Sequence, residues 1–154
     1  MRIGAACLLL AACSPEGELD EFDELSLEVG EGRAAFIELA DEALVEIVLG
    51  AQGGWHVDLG ARVAGARPAG QFITYRIWDI EGGEQIAYPI KASIEPAEVV
   101  ARVDGFEQHG IRTVFAIDDP SDVVGRQGLL EAELIQGIDV IVDRRVVTFV
   151  DNEP

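Results

Sequence analysis

Two histidines, His56 and His109, are the only imidazoles in the chain, and the best candidate cluster for a cation is Asp118, Asp119 and Asp122. In the stretch WHVDLGARV, His56 precedes Asp58 by two residues and Arg62 by six, so on a strand the three share a face opposite Trp55. An imidazole so placed can serve as a general base or a metal ligand. A base needs an oriented partner and a nucleophile, and a metal site needs at least three ligands. His109 stands beside Gly110 in a stretch, 105–110, that reads as a loop, and a His56/His109 metal pair would need carboxylates to complete it. The simpler expectation for His56 is an outer-face histidine, or one bonded to the neighbouring turn. Calcium takes several carboxylate oxygens, and loops between strands often present them, which makes Asp118, Asp119 and Asp122 the best candidates for a cation. The turn chemistry of Asp118-Asp119-Pro120-Ser121-Asp122 explains the same residues and is preferred.

Nucleophiles are scarce. The seven serines and threonines include none in a G-x-S-x-G setting, and the two cysteines, Cys7 and Cys13, both lie near the amino terminus. The glycines at 50–54 are followed by no Lys-Ser or Lys-Thr, and no helix starts there, so they make no phosphate loop. Trp55, Phe72, Tyr75, Trp78 and Tyr88 can line a ligand patch, but aromatics of this kind more often fill a core, and core is the expectation. We therefore expect no catalytic residue, no cofactor and no enzyme.

The elements that must position these residues are strands. Around the turn Ala51-Gln52-Gly53-Gly54, residues 43–65 form two runs with a period of two: Val45, Ile47 and Leu49 on one, Trp55, Val57, Leu59, Ala61 and Val63 on the other. The pair reads as a hairpin, or as two strands joined across a sandwich. Short apolar runs then recur with turn signals between them: 25–29, 35–39, 71–80, 85–94 and 111–117. Pro89 marks an edge strand or bulge, and 96–103 reads as a helical turn or another strand. Leu130, Ala132 and Leu134 point inward with Glu131 and Glu133 outward, before Gln136-Gly137-Ile138-Asp139 turns the chain into 140–150. Eight to ten strands at this spacing predict an all-β fold, a two-sheet antiparallel immunoglobulin-like sandwich, with a closed barrel as second choice.

The 154 residues carry 29 Asp and Glu against 11 Lys and Arg, for a net charge of −18. Such a balance repels phosphate backbones and excludes nucleic acid as a partner. Residues 1–13, MRIGAACLLLAAC, run from a basic residue through an apolar segment to small residues, the order of an export signal, although the segment is shorter than usual. Leu10-Ala11-Ala12-Cys13 resembles the lipobox of bacterial lipoproteins. That resemblance implies cleavage after residue 12, lipidation of Cys13 with fatty acyl chains such as palmitate, and, with Ser14 following, the outer membrane in preference to the inner. Residues 14–24, SPEGELDEFDE, hold six acids and no base and read as a solvated tether. The expected division is a signal at 1–12, an acidic tether at 13–24 and a β-sandwich domain at 25–152. The mature domain then has no thiol.

The run Gly50 to Val57, GAQGGWHV, early in a β domain behind a lipobox, resembles a pattern in uncharacterised predicted lipoproteins of myxobacteria and their relatives. The resemblance covers the signal, the hairpin and loosely the strand rhythm beyond it. It implies a cell-envelope lipoprotein and brings no catalytic residue. Together these features lead us to expect a lipid-anchored envelope module that binds a protein or glycan or plays a structural part. A metal-dependent hydrolase and a calcium-stabilised adhesion domain are the alternatives.

Overall fold

Residues that alternate between apolar and polar become strands here because every second side chain leaves water while its neighbours stay solvated. The computed structural model describes residues 24–51 and 53–151. The expected signal, Cys13, all but the last residue of the acidic stretch, Gln52 of the turn and Asn152 at the expected domain end lie outside the described residues. The strands are β1 Ser26–Glu31, β2 Ile37–Glu38, β3 Ala43–Leu49, β4 Trp55–Ala64, β5 Phe72–Asp79, β6 Ile90–Ser93, β7 Val100–Ala101, β8 Gly105–Val114, β9 Gln127–Gln136 and β10 Asp139–Asp151. A 3-10 turn, Pro120–Asp122, precedes β9, and no α-helix occurs among the described residues.

The central hairpin is real but brief. Val48 pairs with His56 and Leu49 with Trp55, and then the two strands part. β3 goes on to lie parallel to β10, from Ala43 opposite Val147 to Ile47 opposite Asp151. Along the rest of β4 its place is taken by β1, from Leu59 opposite Glu31 to Ala64 opposite Ser26. The other edge of β4 carries β8. From β10 the sheet continues antiparallel through β9 and β5 to β6. The segment before β6 then reconnects the two halves: the amide of Ile86 donates to Ile77 of β5, Tyr88 donates to Val114, and Ala116 donates to Ile86. Pro89, which has no amide hydrogen to offer, stands where this segment leaves the end of β8 and joins β5. The backbone circuit thus runs β4, β3, β10, β9, β5, residues 85–93, β8 and back to β4, so that few strand edges stay open.

The all-β class holds. The pairing is not purely antiparallel: ten strands form one curled, mixed sheet, and β3 with β10 is a parallel pair. Alternation determines which face of a strand is buried but not which edge it offers to which neighbour. Residues 105–110, expected to be a loop, belong to β8, where Gly110 at φ +70° and a register shift between Leu59 and Ala61 of β4 accommodate a bulge. Residues 96–103 hold both: a hydrogen-bonded turn at 96–98, where the Glu98 amide donates to the Glu95 carbonyl at 2.9 Å, and then the short strand β7.

The inward faces of β4, β5, β9 and β10 meet in one apolar interior. Leu59, Ala61, Val63, Ile73, Ile77, Leu130, Ala132, Val147 and Phe149 are fully buried in it, each large side chain contributing about 1.5–3 kcal/mol. Phe115 meets Phe149 edge-on at 5.1 Å. Tyr75 is the only one of the five expected core aromatics to be fully buried, and its hydroxyl donates to Gln108 Oε1 at 3.0 Å. Trp55 and Trp78 are half-buried, and Phe72 and Tyr88 are exposed. On the outer face, Arg76 of β5, Glu131 of β9 and Arg144 of β10 stand side by side in register and form a charge ladder.

Candidate functional site

His56 is the second residue of β4 and follows directly on the glycine turn. Gly53 donates to the Gly50 carbonyl and Gly50 to the Gly54 carbonyl, both at 2.9 Å. Gly53 and Gly54 sit at φ +82° and +87°, which L side chains rarely adopt, so these glycines are what allows the chain to double back. The folded turn lies over the imidazole and leaves His56 only 3% exposed although it is on the outer face. Burial and then the Arg112 guanidinium push its pKa below the ordinary histidine range, and Asp58 and a hydrogen bond with the Gly54 backbone oppose them in part. The ring is neutral at pH 7. A depression of about 290 Å³ opens beside it, lined by the turn glycines, Ala51, Arg112 and Val114. It offers an imidazole held neutral and a guanidinium, a setting for hydrogen bonds to a small polar group.

A second depression of about 390 Å³ adjoins it on the same outer face, lined by Glu31, Gly32, Arg33, Leu44, Glu46, Val48, Asp58 and Val150. Burial and, secondarily, the charge of Glu46 raise the pKa of Glu31 above the usual carboxylate range. Arg112 reaches Asp58 at 3.8 Å and so ties the two depressions together across β8 and β4. The wall is built by the connector after β1. Gly32 donates to the Asp58 carbonyl and Gly110 donates to the Gly32 carbonyl, while His109 Nδ1 lies 3.3 Å from the Arg33 carbonyl. The ring of Phe36 rests on Gly30 and Gly60, which face each other across β1 and β4, and Arg62 stacks over that ring at 4.6 Å. Arg62 also bonds Glu107 at 3.0 Å and Glu28 at 3.1 Å. It is a structural clamp, although sequence spacing aligned it with His56.

The sequence-derived candidates do not converge. His56 pairs with Val114 at one end of β8, whereas His109 lies at the bulge opposite the middle of β4 and serves the β1 connector instead. Asp119 caps the 3-10 turn, its Oδ1 accepting from the Ser121 amide at 2.9 Å and the Ser121 hydroxyl at 2.7 Å. Those bonds hold its carboxyl below the usual range. Among the described residues no group of three or more His, Cys, Asp or Glu is arranged to hold a metal. Cys13, the lipidation candidate, is outside the described residues. Arg112 and Glu31 carried no local sequence signal, because the pairing of β8 with β4 and of β1 with β4 brings them to His56 and Asp58, and Glu46 joins them from β3.

Among the described residues no helix is long and apolar enough to cross a membrane. Comparison of the chain with protein-family models, curated proteins and solved structures returns no match.

Proposed function

We propose that the protein is a lipoprotein of the bacterial cell envelope, of the kind predicted in myxobacteria, anchored through acyl chains on Cys13. In this reading the anchor sits in the outer membrane in preference to the inner, and the β domain is a non-enzymatic binding or structural module for an envelope protein or glycan. One observation carries it: LLLAAC, which resembles an export and lipidation sequence, stands in front of an acidic stretch and a β domain with a continuous apolar interior. Two acyl chains or more on one cysteine make a firm anchor, where a single chain gives marginal binding. The module half is supported by where the candidate chemical groups sit. His56, Arg112, Glu31 and Asp58 line depressions of about 290 and 390 Å³ on the outer face, a surface that a docking partner can meet.

The test is the intact mass of the protein gently extracted from the membrane fraction of its own host. A chain that begins at Cys13 and carries acyl mass, and a Cys13→Ser variant that leaves the membrane fraction, are the expected results. An unmodified chain that keeps residues 1–12 overturns the anchoring, and a Cys13→Ser chain that stays with the membrane overturns the role of that cysteine.

A further inference from the structure

The two most exposed large apolar side chains of the described domain are Val103, at 108% of its reference area, and Ile138, at 97%. Both sit at the tips of tight turns, Val103 between β7 and β8 and Ile138 between β9 and β10. Such tips are ordinarily built of Gly, Asn, Asp and Ser, which suit the backbone and stay in water. Gly137, at φ +65°, meets the backbone demand of the second turn, so nothing in the turn itself calls for an isoleucine beside it.

The strand registers place both tips at one end of the domain. Gly105 pairs with Ala64, and Ala64 with Ser26, which puts the β7–β8 tip and the start of β1 together. Around the circuit β1 stands between β4 and β10, and the Val29 amide donates to the Asp143 carboxylate of β10 at 2.8 Å. Asp139 pairs with Gln136, and Ile135 pairs with Phe72, so the β9–β10 tip and the start of β5 close the same end. Phe72, Ile135 and Val140 are each about half exposed there. The chain from Cys13 therefore enters the domain between two apolar tips, and the 12 residues between Cys13 and Ser26 span at most about 45 Å. The His56 depression, at the start of β4, lies at the opposite end.

We propose that this end is a membrane-docking surface: Val103 and Ile138 enter the headgroup region of the bilayer that holds the anchor, and the His56 end faces away from it. The occupant is the bilayer because the tether delivers this end to it, and because apolar tips flanked by Asp104 and Asp139 suit zwitterionic lipid better than an anionic surface. The proposal rests on the lipid-anchor reading, and the test separates the two.

The full chain carrying Cys7→Ser has Cys13 as its single thiol and is coupled through it to maleimide lipid in zwitterionic vesicles, which imposes the tether whatever the host does. An indole is added at one end or the other, as Ile138→Trp, Val103→Trp or Tyr88→Trp, and brominated lipid is introduced as quencher. The expected result is loss of the added emission, with a blue shift, at 138 and 103 and none at 88. Equal quenching at 88, or none at 138 and 103, overturns the docking surface even if the host protein proves to be acylated. If the host protein proves unacylated, the anchoring reading fails and the vesicle result still decides whether this end binds lipid. Sedimentation of the uncoupled chain adds a further outcome: a dimer that Ile138→Asp dissociates, without quenching in vesicles, assigns the tips to a second copy and also overturns the proposal.

Discussion

Glu131 lies on the outer face of the sheet, yet it is only 6% exposed because Arg76 and Arg144 close over it from the two neighbouring strands. Arg76 Nη1 donates to Oε1 at 2.9 Å and Arg144 Nε to Oε2 at 2.7 Å, so each carboxylate oxygen has its own cation. A charge-assisted hydrogen bond contributes about 1.5–3 kcal/mol where water is excluded. The Arg144 side chain is 58% exposed, so its share falls to roughly 0.5 kcal/mol by solvent screening. Arg76, at 24%, keeps Glu133 at 3.2 Å when Glu131 is removed, which softens the loss. We expect Glu131→Ala to cost about 2–3 kcal/mol and Arg144→Ala about 0.5 kcal/mol in urea unfolding at pH 7. Burial alone pushes the Glu131 carboxyl up, but the two arginines together outweigh it and hold the pKa below the usual range. The ionised form is therefore the one the native state favours. Its stabilisation is whole above the unfolded carboxylate value of about 4.3 and is lost as pH falls through the lower native value. The gap between the parent and Glu131→Ala should narrow from pH 5 to pH 2. A cost under about 1 kcal/mol at pH 7, or a cost no larger than that of Arg144→Ala, refutes the ladder as a stabilising element.

Glu31 has the opposite sign. Its pKa is raised by burial and by Glu46, so the ionised form is strained in the native state, and Glu31→Gln should raise Tm at pH 7, with the gain vanishing once pH falls below the unfolded carboxylate range. His56, whose pKa is lowered by burial first and Arg112 second, stabilises the native state fully above about pH 6.5 and progressively less as pH falls below that. Comparison of Tm for His56→Gln and the parent between pH 7 and pH 5 should show this slope in the parent and its removal in the variant. At Gly60 a Cβ would stand 2.6 Å from the Gln108 carbonyl oxygen and 3.3 Å from the Phe36 ring. Gly60→Ala should therefore cost about 1–3 kcal/mol in urea unfolding, and an unchanged midpoint would mean that the β8 bulge and the Phe36 ring do not pack on β4 as described.

Some of this molecule is readable residue by residue. Val57, Leu59, Ala61 and Val63 alternate with His56, Asp58, Gly60 and Arg62, and the first set is buried as alternation requires. Leu130, Ala132 and Leu134 obey the same rule, and Asp119 behaves as an Asp before Pro should, capping a turn. The sequence also placed Glu131 outward, correctly, without disclosing that two arginines would bury it. Trp55, expected in the core, lies at its margin, because it is the first residue of β4, directly after the glycine turn, where the paired strands end.

By itself, then, the sequence determined which face of each strand turns from water, where the chain must reverse, and the acidic character of the surface, since these depend on spacing of two residues and on local φ preferences. Tertiary structure alone decided that β3 abandons its hairpin partner for a parallel place beside β10, that β1 fills the gap on β4, and that Arg112 and Glu31 stand with His56 and Asp58. Those outcomes come from competition among strand edges distant in sequence. Every edge offers the same amides and carbonyls, and the choice rests on how the whole apolar interior closes.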